Sequence, residues 1–569
     1  MKSILKLAFA VGLSVAAGSA PAPAQTVVLD GLGSSAFFLE AGLAANYSGG
    51  AINAPCVWSE NTNAVVATDS STGSSLTDKG SAWVAWTKGS DGTCATAGNI
   101  YAYLQTDSVV GNRCLFNSNL SAGRECYITY PTTPASPAGL ILSGGTANCG
   151  TTGECALPST VVTALNSSTQ LVNFAGTDIR PEDAEFAIAR ATTACNTPVA
   201  TGSQYLGLGY ANGGAIDSYT NTGSFFNVIN FTLPTTVPHV TLVGATPIIV
   251  TVNGTSAGFG GYSNISSQTL AYFLDGTYSY TGQVATPTAT DLPAWVYLRE
   301  PLSGTYNTLE YNVPNRLGTI GGSSPTFATS QDVGANQITS GQKNCNSTFT
   351  APLSNPMNIA TASSGARQRA IGTGQELAAV KANANGNSLG YGFWSAANFA
   401  GFAGVTTAKY YTVDSIDPLG AGGTIPTTST QLANVNLSST ANGTYPIWSL
   451  LRMVNVDTSL NTTVADLATA AGDFVTASHP DFVTPANMNV VRSHFLPPAG
   501  SGLPTTLSDG SKQLHSGSAV ACSSTETGGD VGGVVIGLTS SSYTQSPLTL
   551  SDEYYCTHTS TTGQTGHRR

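Results

Sequence analysis

The chain has 569 residues, of which 20 are Lys or Arg and 31 are Asp or Glu, for a formal net charge of −11. Charged residues make up 9% of it, against about 25% in an ordinary soluble domain. That balance excludes a basic nucleic-acid binder and a charged-heptad coiled coil, and a hydrophobic share of 41% excludes a disordered chain.

The first segment reads as a leader. Lys2 and Lys6 precede a short apolar run over 7–17, and Ala22-Pro23-Ala24 is a small-residue cleavage pattern. A secretory signal peptide is predicted over 1–24, with a periplasmic or secreted product. The apolar run is too short for a spanning helix, so no stable membrane anchor is expected. The cysteines fit export. There are ten, an even number, and none forms a CxxC pair. Six fall between Cys94 and Cys195, which predicts a disulfide-stapled, loop-rich insertion at about 112–160 with its pairing left open. The six histidines form no HExxH or paired-ligand pattern, so neither a metal nor a cofactor is expected. His239 and His494 sit beside apolar residues and read as core or surface positions.

Strand and helix patterns then alternate. Residues 99–104 predict a strand, 157–165 a short helix and 171–174 another strand. The β-branched run 239–252 is the strongest strand signal in the chain. Ser266 or Ser267 is placed to cap a helix over 268–274. A short strand is expected at 295–298, a helix at 306–311, a helix over 368–384, a strand over 445–456 and an amphipathic helix over 464–477. The Ser/Thr/Gly-rich spans 418–444 and 523–549 read as loops. Strands alternating with helices favour an α/β sheet over an all-β sandwich, and no fixed-period repeat marks a solenoid.

Two constellations carry possible chemistry. Gly254-Thr255-Ser256-Ala257-Gly258 is a G-x-S-x-G directly after the strongest strand. A nucleophile elbow needs a helix next, and Phe259-Gly260-Gly261 is a poor helix start. Asp481 and His494 would complete a triad by order alone. The second constellation is Arg299-Glu300-Pro301-Leu302-Ser303-Gly304-Thr305, between a strand and a helix. An Arg at a strand end offers a fixed fork of donors to an oxyanion. A Ser-Gly-Thr turn at a helix start adds hydroxyls and free backbone N–H groups. An ordinary capped helix behind an Arg would read the same.

Further segments accompany it in order. They are Gly31-Leu32-Gly33-Ser34-Ser35-Ala36-Phe37, an aromatic strand Tyr101-Ala102-Tyr103 running to Asp107-Ser108-Val109-Val110-Gly111, and Phe174-Ala175-Gly176-Thr177-Asp178-Ile179-Arg180-Pro181. Pro247 to Asn253, Leu270 to Gly276, Gly390-Tyr391-Gly392-Phe393-Trp394 and Tyr445-Pro446-Ile447 follow. Together these resemble the phosphate-binding proteins of periplasmic ABC importers. The resemblance spans about residues 29 to 500 as islands. It departs from the family in the long stretch between Ser35 and Asp178, and in Asp-Ser-Val-Val-Gly where the family has a Gly/Ser-rich turn.

The resemblance implies a two-lobe type II periplasmic-binding-protein fold: α/β, with central sheets, crossover strands and a Cys-rich insertion in the first lobe. The first lobe would comprise 25–250 and 394–515, the second 251–393, with a Ser/Thr/Gly-rich tail at 516–569. It implies capture of phosphate or a similar oxyanion without catalysis, and delivery to an ABC importer membrane complex. Ser35 and the backbone N–H of Ala36 would hold one oxygen and Ser108 another, with Arg113 nearby as a further contributor. Arg299 would supply the charged fork, and Ser303, Gly304 and Thr305 would donate from the second lobe. Asp178 would accept a proton that hydrogen phosphate carries and sulfate lacks. Its other reading is a cap before Pro181. Alternatives are the same fold turned to another ligand or a surface role, a secreted hydrolase using Ser256, and a structural surface protein.

Overall fold

The computed structural model describes residues 25–70, 76–118, 125–132, 154–181, 239–300, 302–313, 365–370, 372–382, 386–477 and 480–488, with short pieces within 183–233 and 543–558. Residues 1–24, where a signal peptide is expected, His494 and most of 516–569 lie outside the described residues, as does much of the 112–160 segment.

The chain is an α/β protein built on one large mixed sheet. Its strands are β1 (Thr26–Gly33), β2 (Cys56–Asp69), β3 (Leu76–Lys88), β4 (Ala97–Gln105), β5 (Cys126–Thr129), β6 (Phe174–Thr177) and β7 (His239–Asn253). They continue with β8 (Asn264–Ile265), β9 (Trp295–Arg299), β10 (Ala366–Ala370), β11 (Ser388–Phe393), β12 (Ala408–Val413) and β13 (Trp448–Asn455). The order is β10-β9-β11-β7-β13-β6-β1-β4-β3-β2-β5, with β12 on β7 and β8 on β12. The helices of at least seven residues are α1 (Ser35–Asn46), α2 (Ser108–Asn117), α3 (Ser159–Leu165), α4 (Ser267–Asp275), α5 (Gly304–Asn312), α6 (Thr373–Ala382) and α7 (Asn461–Ala477).

Two lobes follow from how β7 is shared. Its first half, His239–Pro247, pairs antiparallel with β13. Its second half, Ile248–Asn253, pairs antiparallel with β11. One β-branched run thus crosses from one lobe into the other, buried from Val243 onward. Within the first lobe β1 is parallel to both β4 and β6. Within the second, β9 is parallel to β10 and β11. Parallel strands place their helix starts on one edge of the sheet, and the two lobes turn those edges toward each other.

The first-lobe core is aromatic and fixes the start of α1. Tyr103 of β4 packs against Phe37, Trp83 and Phe174 with ring centroids 5.8, 6.1 and 5.7 Å apart. Its hydroxyl donates to the Ser34 carbonyl at 3.1 Å, and Trp83 Nε1 donates to the Phe38 carbonyl at 2.8 Å.

Several sequence expectations shift here. The strand expected at 171–174 forms instead over Phe174–Thr177. The helix expected over 368–384 divides: Ala366–Ala370 is strand β10, Gly372 takes φ +76°, and the helix starts at Thr373. The span 418–444 contains single helical turns at Ser429–Leu432 and Ser438–Ala441. A strand, Tyr543–Pro547, lies within the 523–549 span read as a loop, and pairs with Tyr554–His558. The long β2–β3 hairpin carried no sequence expectation. Its periodicity is broken where the pairing shifts between Glu60 and Val65, and the Glu60 carboxylate accepts the Thr62 N–H (2.6 Å) and Val65 N–H (3.3 Å) there.

Among the described residues, disulfides join Cys56 to Cys94 and Cys114 to Cys126, Cys155 is disulfide-bonded as well, and no cysteine is free. The first two tie strands β2 and β5 of the main sheet to the segments beside them. The first closes 38 residues. Loop-closure entropy for that length is about 4 kcal/mol. The Cys56→Ser/Cys94→Ser double variant is expected to lose stability of that order, read as a lower urea midpoint, with a larger m-value because the unfolded chain is no longer cross-linked. Among the described residues no helix is long and apolar enough to cross a membrane.

Candidate functional site

Five strand-to-helix turns converge where the lobes face. From the first lobe come Ser34-Ser35 after β1, Asp107-Ser108 after β4 and Asp178 after β6. From the second come Arg299 through Thr305 between β9 and α5, and Thr373 after β10. Among the described residues, hydrogen bonds cross the junction at four places. Ser35 Oγ and Thr373 Oγ1 are 2.9 Å apart, Arg299 Nη2 donates to Asp107 Oδ1 at 2.9 Å, and Thr305 Oγ1 donates to Asp178 Oδ2 at 3.5 Å. The Val109 N–H reaches the Leu302 carbonyl at 3.3 Å. The lobes are therefore closed on each other, and Ser35, Ser108, Asp178, Arg299, Ser303 and Thr305 are all buried.

Arg299 is the centre. Its backbone N–H donates to the Tyr391 hydroxyl (3.1 Å), which fixes the end of β9 against β11. One edge of its guanidinium grips Glu300 twice, Nε to Oε2 at 2.9 Å and Nη2 to Oε1 at 2.8 Å. The other edge donates to Thr373 Oγ1 (2.7 Å, from Nη1) and to Asp107 Oδ1. Glu300 is in turn held by the Gly372 N–H at 3.2 Å. Burial works against the charge on Arg299, but Glu300 and Asp107 outweigh it and keep the guanidinium firmly protonated. Burial likewise raises Glu300, yet the neighbouring guanidinium wins and holds it below the ordinary carboxylate range. Asp107 goes the other way: burial, then the Glu300 charge, push it well above that range against the pull of Arg299. Glu376 of α6 is also raised by burial, and its Oε1 accepts the Tyr391 N–H at 2.8 Å.

Asp178 forms a second cluster beside this one. It accepts from Ser108 Oγ, and the Asp178 N–H donates back to that same oxygen at 3.2 Å. Burial pushes its carboxyl up to about 7, against its own backbone N–H, Arg299 and Arg452. Gly304 lies directly on this pair. A Cβ at Gly304 would overlap the Asp178 carboxylate and press on Ser108 Oγ. Gly304→Ala is therefore expected to force the lobes apart, costing about 1–3 kcal/mol of stability as an overpacked contact, with a measurable increase in radius of gyration by small-angle scattering.

The structure thus gathers most of the residues singled out from sequence. Ser303 stands at the N-cap of α5 with Oγ accepting from the Tyr306 N–H at 3.2 Å. Ala36 is placed otherwise. Its N–H is committed to Ser34 Oγ at 3.1 Å as the cap of α1, so the free donor expected there is absent. Arg113 is also elsewhere, buried in an ion pair with Asp69 (3.3 Å) and with Asp78. Ser256 sits on an exposed turn followed by a 3-10 turn at Phe259–Gly261, so the helix of a nucleophile elbow does not form. Asp481 is buried away from that turn and accepts the Ala396 N–H at 2.7 Å. No group of metal-ligating side chains occurs among the described residues.

Sequence reasoning gave no role to Asp107, Glu300, Thr373 or Glu376. The adjacency of Asp107 to Ser108 and of Glu300 to Arg299 was visible. The position of Thr373 was hidden by the helix expected over 368–384, which left no room for a strand end.

No family model matches the sequence, and no curated protein matches it. Solved structures do align with it. A phosphate-transport receptor from Vibrio cholerae is 14% identical, covering 43% of this chain and 72% of that chain with a TM-score of 0.25. A phosphate-binding protein from Stenotrophomonas maltophilia is 15% identical, covering 68% and 83% with a TM-score of 0.30. A high-affinity periplasmic phosphate-binding protein is 13% identical, covering 69% and 85% with a TM-score of 0.32. What the junction can bind is read below from this chain's own side chains.

Proposed function

We propose that the chain is an exported solute-binding protein that captures a tetrahedral oxyanion, hydrogen phosphate by preference, between its lobes. The observation that carries this reading is Arg299. It is a fully buried guanidinium at a strand end, oriented by Glu300 on one edge, with its other edge turned to the seam between the lobes. Ser35, Ser108 and Thr305 bring hydroxyls to the same seam, and Gly304 leaves room for close backbone approach. A fork plus hydroxyl and backbone donors matches the geometry of a tetrahedral anion.

Asp178 supplies the discrimination. Ionised, it only accepts, so an oxyanion beside it must bring a proton. Hydrogen phosphate does so and sulfate does not. Opening of the lobes about the β7 crossover and the return of the chain at the end of β11 admits the ligand, and closure buries it. The disulfides fit an oxidising compartment, periplasmic or outside the cell, and an ABC importer is the corresponding membrane partner. The role is binding rather than catalysis.

Calorimetric titration of the purified mature protein with phosphate and with sulfate tests this. Saturable phosphate binding with sulfate excluded at pH 8 is the expected result. Intact, folded protein that takes up neither anion would refute it.

A further inference from the structure

The ligand-facing edge of Arg299 is occupied by the protein itself. Glu300 takes the Nε–Nη2 edge, and the remaining donors go to Thr373 and to Asp107. Asp107 stands at the N-cap of α2, a position where an Asp ordinarily accepts from the first free backbone N–H groups of the helix. Here its side chain makes no capping bond. The carboxylate turns across the junction to the guanidinium instead, and its second oxygen, Oδ2, is buried without a hydrogen-bond partner. A side chain that forgoes its local partner and leaves one oxygen unsatisfied is held by what lies across the seam. It places a carboxylate oxygen where an oxyanion oxygen would dock.

We propose that Asp107 is a built-in competitor of the ligand: an oxyanion reaches the outer edge of Arg299 only by displacing the Asp107 carboxylate. This rests on the oxyanion reading above. The exchange keeps Arg299 paired with and without ligand, so the open, empty protein does not bury a bare charge on closing. It also makes Asp107 the residue that sets affinity, because whatever strengthens its hold on Arg299 weakens the ligand's.

Protonation is one such influence. The charged and titratable groups around Asp107 are Arg299 and Glu300 at the end of β9, Asp178 at the end of β6, and Tyr103 on β4. Glu376 of α6 acts on Arg299 and Glu300, and Arg452 of β13 on Asp178. Glu300 is the only one of the three carboxylates on the Arg299 side that is held ionised by direct bidentate contact. A protonated Asp107 shares its proton with Glu300 and holds the guanidinium weakly, as a neutral acceptor. An ionised Asp107 holds it as an ion pair. Competition therefore strengthens as pH rises.

The test compares inorganic phosphate affinity of the full mature chain with that of Asp107→Asn and Asp107→Ser, from pH 5.5 to 8.5. Both replacements are accepted N-cap residues, so α2 is retained, and near-UV circular dichroism checks the fold. The ratio of variant to parent affinity at each pH cancels the titration of phosphate. Both variants are expected to bind about tenfold more tightly than the parent, by a ratio that does not fall as pH rises. A ratio of one or less at every pH, with phosphate bound by the parent, overturns this inference and leaves the oxyanion reading standing. No binding by the parent or by either folded variant overturns both.

Discussion

Arg299→Ala is expected to be the most damaging single change in the protein, abolishing phosphate uptake and lowering stability by about 3–5 kcal/mol. The size follows from what is left behind. Removing one member of a buried ion pair strands the other without compensation. Here it strands two, because Glu300 loses both of its charged donors and Asp107 loses its only one. Glu300 is kept ionised by that guanidinium, so without it burial dominates and Glu300 must take up a proton to stay inside. The loss is therefore pH-dependent. It is largest above neutrality, where Glu300 must be protonated against bulk solution, and it shrinks toward pH 4. Urea unfolding of parent and variant at pH 4.5 and pH 8 measures it. Equal losses at both values would mean that packing, not charge, holds the junction. Arg299→Lys retains one positive charge but not the fork, so it cannot serve Glu300, Thr373 and Asp107 together. It is expected to recover part of the stability and little of the binding.

How much of this was legible in the sequence depends on whether a feature is local. The strand over 239–252 was legible because a β-branched run announces a buried strand by itself, and the structure gives His239–Asn253. The helix starts at Ser267 and Gly304 were legible because Ser266 and Ser303 are caps, and their hydroxyls do accept the capping bonds. The β2–β3 hairpin was not, because the shift at Glu60 to Val65 breaks the alternation that would reveal it. The short strand Phe174–Thr177 misled by three residues, since Ala175 and Gly176 at its middle carry no strand signal and its burial comes from β1 and β13 on either side. At the junction, Ser35, Asp178 and Arg299 stood out by motif. The partners that set their charge state did not. That Asp107 crosses to Arg299 rather than capping α2 is a tertiary fact, because the two residues lie 192 positions apart. That Ala36 spends its N–H on Ser34 is local, but a Ser-Ser-Ala run permits either hydroxyl to cap.

Asp178→Asn is expected to stabilise the protein above neutral pH while removing its selectivity, and the two effects have one cause. Burial raises the Asp178 carboxyl from 3.8 to about 7 in the folded chain. The folded state therefore holds this proton where the unfolded state has lost it. That contribution to stability is complete below about pH 3.8, declines as pH rises through the window up to 7, and is gone above it. At about 1.4 kcal/mol for each pH unit of that window, the ceiling on the loss is about 4 kcal/mol. An amide has no charge to bury, so the difference in stability between variant and parent is expected to grow from pH 4 to pH 7 and then level off. Asp30, raised to about 8 by burial, declines over its own window in both proteins and cancels in that difference. The same titration governs the ligand. Above pH 7 an ionised Asp178 can only accept, and sulfate, with no proton to offer, is repelled. Below pH 7 it becomes a donor, so sulfate rejection by the parent is expected to weaken as the medium is acidified. The amide of Asp178→Asn would donate at every pH, so the variant is expected to admit sulfate throughout. Calorimetry with sulfate at pH 5.5 and pH 8, alongside urea midpoints over the same range, reads both halves. A variant that still refuses sulfate at pH 8 would remove Asp178 from the discrimination, whatever its effect on stability. A flat stability difference would show instead that the carboxylate stays ionised in the closed junction, held there by Arg299 and Arg452.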